Sequence, residues 1–287
     1  MRTLMPVRTA GDKTPIFCIN GEPLKFAGYL PPDQPLYGLC DAYHPNFEPP
    51  EKITQLAAMY TREIQLVQPK GPYRIIGFSI GGLIAYEIAR QLQAKGEEIA
   101  YLGMIDPSQP EGIWETGGEW ASKRVGWMAS VIAGYGNPFK GIWFLTRRFI
   151  SSVGFRVKAR IKMSRVRMHE LLGKEMPIEL RRLRCAKAIR ISARGFTYDP
   201  VQLRGSIYLP ERPESGGDTI EEEWNEVFQQ GATVHWTDSV KRHMEFLEEK
   251  NIKRVILSII EEIEQTASAG AAQPAASSED GAAERAS

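Results

Sequence analysis

Short, continuously apolar runs alternate with helically spaced ones along the first third of the chain. Four of the former, Ile16–Ile19, Leu36–Leu39, Tyr73–Gly77 and Ile99–Ile105, read as strands buried on both faces. Between the second and third, Lys52–Val67 places Ile53, Leu56, Ala57, Tyr60, Ile64 and Val67 at helical intervals. After the third, Leu83–Ala94 reads as a helix that stops before Gly96. Strands alternating with helices predict an α/β fold with a mostly parallel sheet and helices on both faces.

The pattern changes from about Gly112 to Arg190. Strand alternation ceases, and bases including Lys123, Arg124, Lys140, Arg147, Arg148, Arg156, Arg160, Lys162, Arg165 and Arg167 outnumber acids. Met163–Leu172 and Ile178–Ile191 have helical spacing, so residues 112–190 are read as a helical insertion over the sheet. Strand-like runs resume at Gly205–Leu209 and Thr233–Trp236, and Asn251–Glu264 predicts a closing amphipathic helix. Residues 1–265 then form one domain. Residues 266–287, rich in Ala, Ser and Gly, bring too few apolar side chains to offset ordering entropy and predict a disordered tail.

Composition adds little to this picture. At 287 residues with 43% hydrophobic residues, the chain suffices for a sizeable single core, and a formal charge of +1 offers no bulk attraction to nucleic acid. Cys18, Cys40 and Cys185 have no paired or metal-ligand spacing, which fits a reducing compartment and predicts neither a metal nor a cofactor. Residues 1–14 lack the apolar core of a signal peptide, and no apolar run reaches the roughly 18 residues of a membrane span. A cytoplasmic protein is the expectation.

The chemistry concentrates at Gly77-Phe78-Ser79-Ile80-Gly81-Gly82, set between a predicted strand and a predicted helix. In that setting G-x-S-x-G is a nucleophile elbow. A sharp turn lifts the serine above the sheet at a helix N-terminus, where the Ile80 N–H can stabilise an oxyanion. A serine hydroxyl needs a base. Of the four histidines, His44 lies in a proline-rich loop, His169 in the basic insertion and His235 inside a strand. His243, in the loop after the last strand, is the best placed. Asp106 ends the strand Ile99–Ile105 beside the elbow and is the candidate orienting carboxylate, with Asp218 as runner-up. The order Ser79, Asp106, His243 is that of an α/β-hydrolase.

These stretches, with Pro15-Ile16-Phe17-Cys18-Ile19, Asp33-Gln34-Pro35-Leu36-Tyr37-Gly38-Leu39, Val67-Gln68-Pro69-Lys70-Gly71-Pro72-Tyr73 and Gly96-Glu97-Glu98-Ile99-Ala100, carry a resemblance. From about Pro15 to Glu264 the sequence resembles the thioesterase domains that terminate nonribosomal peptide and polyketide synthetases. The resemblance implies an α/β-hydrolase fold with a helical lid and a Ser79 nucleophile. It also implies an Asp106 acid placed as in the chain-terminating type, and a catalytic histidine in His243-Met244-Glu245-Phe246-Leu247. Its implied substrate is an acyl or peptidyl thioester on the phosphopantetheine arm of a carrier protein, released by hydrolysis, cyclisation or transfer.

The sequence departs from that family at two places. Asn20-Gly21-Glu22-Pro23 stands where the family's loop supplies the second oxyanion donor. Pro23 has no N–H, so the donor falls to Glu22 or Leu24, with the Glu22 carboxylate close to a developing negative charge. Lys241-Arg242 places two cations before His243, which disfavours an imidazolium. Two other readings therefore stand beside the thioesterase: a carrier-binding module with impaired catalysis, and a small-ester hydrolase with the same triad. The basic insertion is expected to steer an acidic carrier protein, and its Trp143, Phe144, Phe149 and Phe155 suit an acyl tunnel or a membrane surface. The initial Met1, without further modules, suggests a free-standing protein acting in trans, with an excised domain as the alternative.

Overall fold

The computed structural model describes residues 3–20, 22–39, 47–108, 139, 160–213 and 217–271. Seven strands form one sheet in the order β1-β3-β2-β4-β5-β6-β7. They are β1 (Leu4–Arg8), β2 (Ile16–Ile19), β3 (Leu36–Leu39), β4 (Tyr73–Phe78), β5 (Ile99–Ile105), β6 (Gly205–Leu209) and β7 (Ala232–Trp236). All neighbours run parallel except β1, which lies antiparallel on β3 at the edge. The sequence reading missed β1. Its Pro6 removes a donor, a loss that an edge strand tolerates, and the run is held by Glu63, whose Oε2 accepts from Thr3 N at 2.7 Å and Leu4 N at 2.6 Å.

Period-2 geometry divides the strand side chains between two cores. Phe17, Ile19, Ile75, Leu102 and Met104 face one side, covered by α2 (Ile53–Val67), α3 (Ile80–Gln93), α5 (Ile178–Ser192) and α6 (Gly217–Val227). Ile16, Cys18, Ile76, Tyr101 and Ile105 face the other, under α1 (Pro23–Ala27) and α7 (Glu249–Ala271). Residues 160–171 form α4. The short α1 and the acid-rich α6 were not read from sequence, because five residues carry no periodicity and α6 buries only Gly217, Trp224 and Val227.

Two boundaries need correcting. The closing helix starts at Glu249 and runs to Ala271, past the expected end at Glu264. Thr266 and Ser268 turn their hydroxyls onto the carbonyls of Glu262 and Glu264, and alanine continues a helix at little cost, so the segment needs no apolar side chain to propagate. Most of the lid expected at 112–190, including Arg147, Arg148, Arg156, Trp143, Phe144, Phe149 and Phe155, lies outside the described residues, as do Cys40, His44 and residues 272–287. The described part of the lid includes α4 and α5, which runs to Ser192, with the non-helical residues 172–177 between them. Arg184 Nη2 donates to Phe47 O at 3.1 Å, and Ser192 Oγ donates to Pro50 O at 2.5 Å, which fixes α5 beside the loop that leads into α2.

A carboxylate fastens α7 to the sheet. Glu262 Oε2 accepts from Tyr101 Oη of β5 at 2.9 Å and Tyr208 Oη of β6 at 3.2 Å, and Oε1 lies 2.6 Å from His235 Nε2 of β7. Burial pushes both phenols up, so they stay protonated and donate. Burial also works against the Glu262 charge, but the hydrogen bonds from His235 and Tyr101 prevail and hold its pKa below the ordinary carboxylate value. A depressed carboxyl adds stability that is fully present above its unfolded pKa of about 4.3 and is lost as pH falls through the folded value. Glu262→Gln should cost about 1.5–3 kcal/mol at neutral pH, read as a lowered Tm. The gap from the parent protein should close in melts taken between about pH 7 and about pH 3. A gap that stays constant across that range would refute the clamp.

Candidate active site

The carboxyl edge of a parallel sheet collects strand ends, and here it collects the chemistry. The chain leaves β4 at Phe78 and enters α3 at Ile80, so the whole reversal falls on Ser79, with φ 59° and ψ −127°. A non-glycine residue there is strained and persists only where its neighbours enforce the turn. They do so by crowding. A Cβ on Gly77 would lie 2.1 Å from Gly81 O, and one on Gly81 would lie 2.2 Å from Ile19 O, so strand, helix and the end of β2 close around the turn only without side chains. Ser79 N donates to Ile105 O at 2.8 Å, which ties the turn to the end of β5. Ile80, as first residue of α3, has an N–H without an intrahelical acceptor.

The next residue of β5's end is Asp106, also left-handed at φ 44°, with its N–H donating to Tyr208 O of β6 at 2.7 Å. That conformation turns the carboxylate toward the far side of the edge, where His243 Nδ1 lies 2.5 Å from Asp106 Oδ2. A carboxylate only accepts, so Nδ1 carries the proton in this contact. Phe78 stacks on the imidazole at 4.7 Å between centroids and 15° between planes, which fixes the ring from its face. The aromatic sits inside the glycine-flanked motif, and its role was invisible without knowing where His243 falls.

His243 opens a 3-10 turn, His243–Leu247, that local bonds set in place. Glu245 Oε2 accepts from Lys241 N at 2.8 Å and Arg242 N at 3.2 Å, and Asn251 Nδ2 donates to Glu245 O at 2.7 Å. The backbone donor from Lys241 and the Arg242 side chain hold the Glu245 carboxyl below its ordinary range. Arg242 Nε pairs with Glu245 Oε1 at 2.7 Å, and Lys241 Nζ lies 3.6 Å from Glu211 Oε2. Both cations feared beside the imidazole are thus turned onto acids.

Ser79, Ile80, His243 and Glu22 border one cavity of about 280 Å³, walled by Leu39, Tyr60, Ile84 and α5. Glu22 is the N-cap of α1, and its carboxylate lies 3.7 Å from Arg182 of α5, so the acid in the loop expected to supply an oxyanion donor is paired with a base 160 residues away. Pro23 takes the first helical position, and Leu24 is 65% exposed. The remaining candidates lie elsewhere. Asp218 is 89% exposed and pairs with Arg212. His235 belongs to the Glu262 clamp, as a packed strand histidine should. His169 sits on α4. Sequence reasoning missed Arg182 and Arg190, both on the cavity wall, because the basic insertion gave no sign of which bases face inward.

Residues 24–127 match the family described as "Thioesterase domain". The dimodular nonribosomal peptide synthase of Bacillus subtilis (strain 168) is 41% identical over 110 residues, which is 36% of this chain and 5% of that protein. This chain therefore corresponds to a small part of that relative's length. Among solved structures, the NocB thioesterase domain in covalent complex with a fluorophosphonate nocardicin G analog aligns with TM-score 0.60 at 16% identity, over 91% of this chain and 100% of that one. The type II thioesterase BorB from the borrelidin biosynthetic cluster aligns with TM-score 0.56 at 15% identity, over 91% and 96%. No described helix is long and apolar enough to cross a membrane. Residues 24–127 thus match the thioesterase-domain family model, and the chain shares the fold of these two solved thioesterase structures.

Proposed function

We propose that this chain is a serine acyl-transfer enzyme of the thioesterase kind, acting on an acyl or peptidyl thioester presented on a carrier protein. One observation carries the reading: the 2.5 Å contact of His243 with Asp106 stands at the cavity onto which the strained Ser79 opens. His243 Nε2 takes the Ser79 proton as Oγ attacks the thioester carbonyl, and Asp106 holds the imidazolium through Nδ1–H. The N–H groups of Ile80 and Glu22 face the developing oxyanion. Collapse expels the thiolate of the phosphopantetheine arm, which takes the proton from His243 and leaves the acyl group on Ser79. Water, or a hydroxyl or amine of the substrate, then attacks the acyl carbonyl and gives its proton to His243, which passes it to Ser79 Oγ as the acyl–serine bond breaks. With Glu22 paired to Arg182 and the cations at 241 and 242 paired to acids, the charge objections to catalysis lose their force.

A fluorophosphonate probe should label Ser79, and Ser79→Ala should abolish acyl-enzyme formation without lowering Tm. Intact-protein mass spectrometry after exposure to an acyl thioester checks both, and a stable mass shift on any other residue would remove the assignment. An unlabelled, unreactive Ser79 would leave a carrier-binding module. Faster turnover of oxygen esters than of thioesters would leave a small-ester hydrolase.

Asp106→Asn should lower turnover by about 10⁴, through loss of the Nδ1–H tautomer. Asp218→Asn, changing an exposed carboxylate paired only with Arg212 among the described residues, should alter it little. Steady-state kinetics of the two variants decides between them, and reversed effects would defeat the assignment.

Arg160, Lys162, Arg165 and Arg167 of α4 are exposed, in keeping with an acidic carrier as partner. Turnover of a carrier-bound acyl group should fall as the Debye length shrinks from about 10 Å at 0.1 M salt to about 3 Å at 1 M. An uncharged small thioester should show little change. Equal salt responses would make the basic helix a solvated face.

A further inference from the structure

The cavity over Ser79 holds more charge than acyl transfer requires. Arg182 and Arg190 both border it, on one face of α5 and two turns apart, which is about 12 Å along the axis. Their surroundings differ. Arg182 lies 3.7 Å from Glu22 and marks the end nearest the oxyanion loop. Arg190 forms no ion pair among the described residues and is exposed in the last turn of α5. Between them α5 presents Ala186 and Ile189, facing Tyr60 and Ile84 of the opposite wall, all side chains that suit an acyl chain.

With Glu22 and Arg182 set against each other, the formal charge left over among the described residues bordering the cavity is the Arg190 guanidinium. Arg190 is exposed at the border of the cavity, so a wholly apolar ligand gains nothing from its charge, whereas an anionic group on the ligand would pair with it. A guanidinium fork matches a carboxylate or phosphate, with charge-assisted and often paired hydrogen bonds. We propose that Arg190 forms an anion subsite that makes the enzyme select a substrate with a negative group, carried either at the distal end of the acyl chain as a carboxylate or on the carrier arm as its phosphate. This rests on the acyl-transfer reading for the identity of the ligand, but the test uses binding alone and so can fail or succeed independently of Ser79 chemistry.

The probes are non-hydrolysable amides of pantetheine with α,ω-dicarboxylic acids of graded length, compared by titration calorimetry with their ω-methyl esters on the full chain. A second pair compares one uncharged acyl amide on 4′-phosphopantetheine with the same amide on pantetheine. In one of the two pairs the anionic member should bind about tenfold more tightly, the discrimination expected of one charge-assisted hydrogen bond. The pair that discriminates identifies the source of the anion. Arg190→Gln should bring that ratio close to one, Arg190→Lys should restore part of it, and Arg190→Glu should reverse it. Absence of discrimination in both pairs, or a ratio that survives Arg190→Gln with unchanged Tm, overturns the proposal. Labelling of Ser79 by fluorophosphonate is scored separately, so a chain that binds anionic ligands yet fails to label would lose its catalytic reading and keep this one.

Discussion

Everything at the site depends on one steric constraint: β4, α3 and the end of β2 meet around Ser79 with no space for side chains. The Cβ positions of Gly77 and Gly81 are occupied by backbone atoms of their neighbours, at 2.1 and 2.2 Å. That closeness holds Ser79 at a positive φ, which costs of order 1–3 kcal/mol and is borne by the burial of strand and helix around it. It also brings the first N–H groups of α3 up to the sheet edge. The bond from Ser79 N to Ile105 O then places Asp106 next in line on the neighbouring strand. The positions of Ser79, the α3 N-terminus and the Asp106 carboxylate thus follow from one close contact.

His243 reaches the site by a different route, and its positioning is less rigidly determined. It is carried on a short turn between β7 and α7, and that turn is held from three sides: by Phe78 stacked on its ring, by the Glu245 and Asn251 bonds beneath it, and by α7 beyond it. Helix α7 is in turn seated by Ile252, Val255, Ile256, Ile259 and Ile263, and by Glu262 bonded to Tyr101, Tyr208 and His235. The Glu262 network lies on the α7 face of the sheet, under strands that end at the site. It is a positioning device for His243, because it fixes the helix that anchors the turn.

What the sequence made legible follows from how local each signal is. The six parallel strands and the helices α2, α3, α5 and α7 each carry their own periodicity, and the elbow is readable because its glycines are adjacent in the chain. Asp106 was readable as a strand end, and its distance of 137 residues from His243 in sequence mattered little because both were tied to the sheet's topology. Strand β1 was not, since Pro6 speaks against a strand and the supporting acid, Glu63, lies sixty residues away. Helix α6 was not, since its buried contribution is small. The end of α7 falls beyond Glu264 because a helix already nucleated propagates through Thr266, Ala267 and Ser268 without apolar side chains.

Electrostatics was the least legible of all, and the reason is instructive about charge in general. Read along the chain, Glu22 threatens an oxyanion, and Lys241 with Arg242 threatens an imidazolium. In space each charge has found a counterion, and two of the three counterions, Arg182 and Glu211, come from distant segments. Coulomb energy falls with distance through space and takes no account of sequence separation, so neighbours in the chain fix only part of the potential at a site. Arg190 shows the converse. One base among many in a basic insertion, it differs from the rest in bordering the cavity with no acid beside it among the described residues. The charges that bear on this site's chemistry are those the fold leaves uncompensated next to the cavity, and only the folded arrangement separates them from the charges that are merely near in sequence.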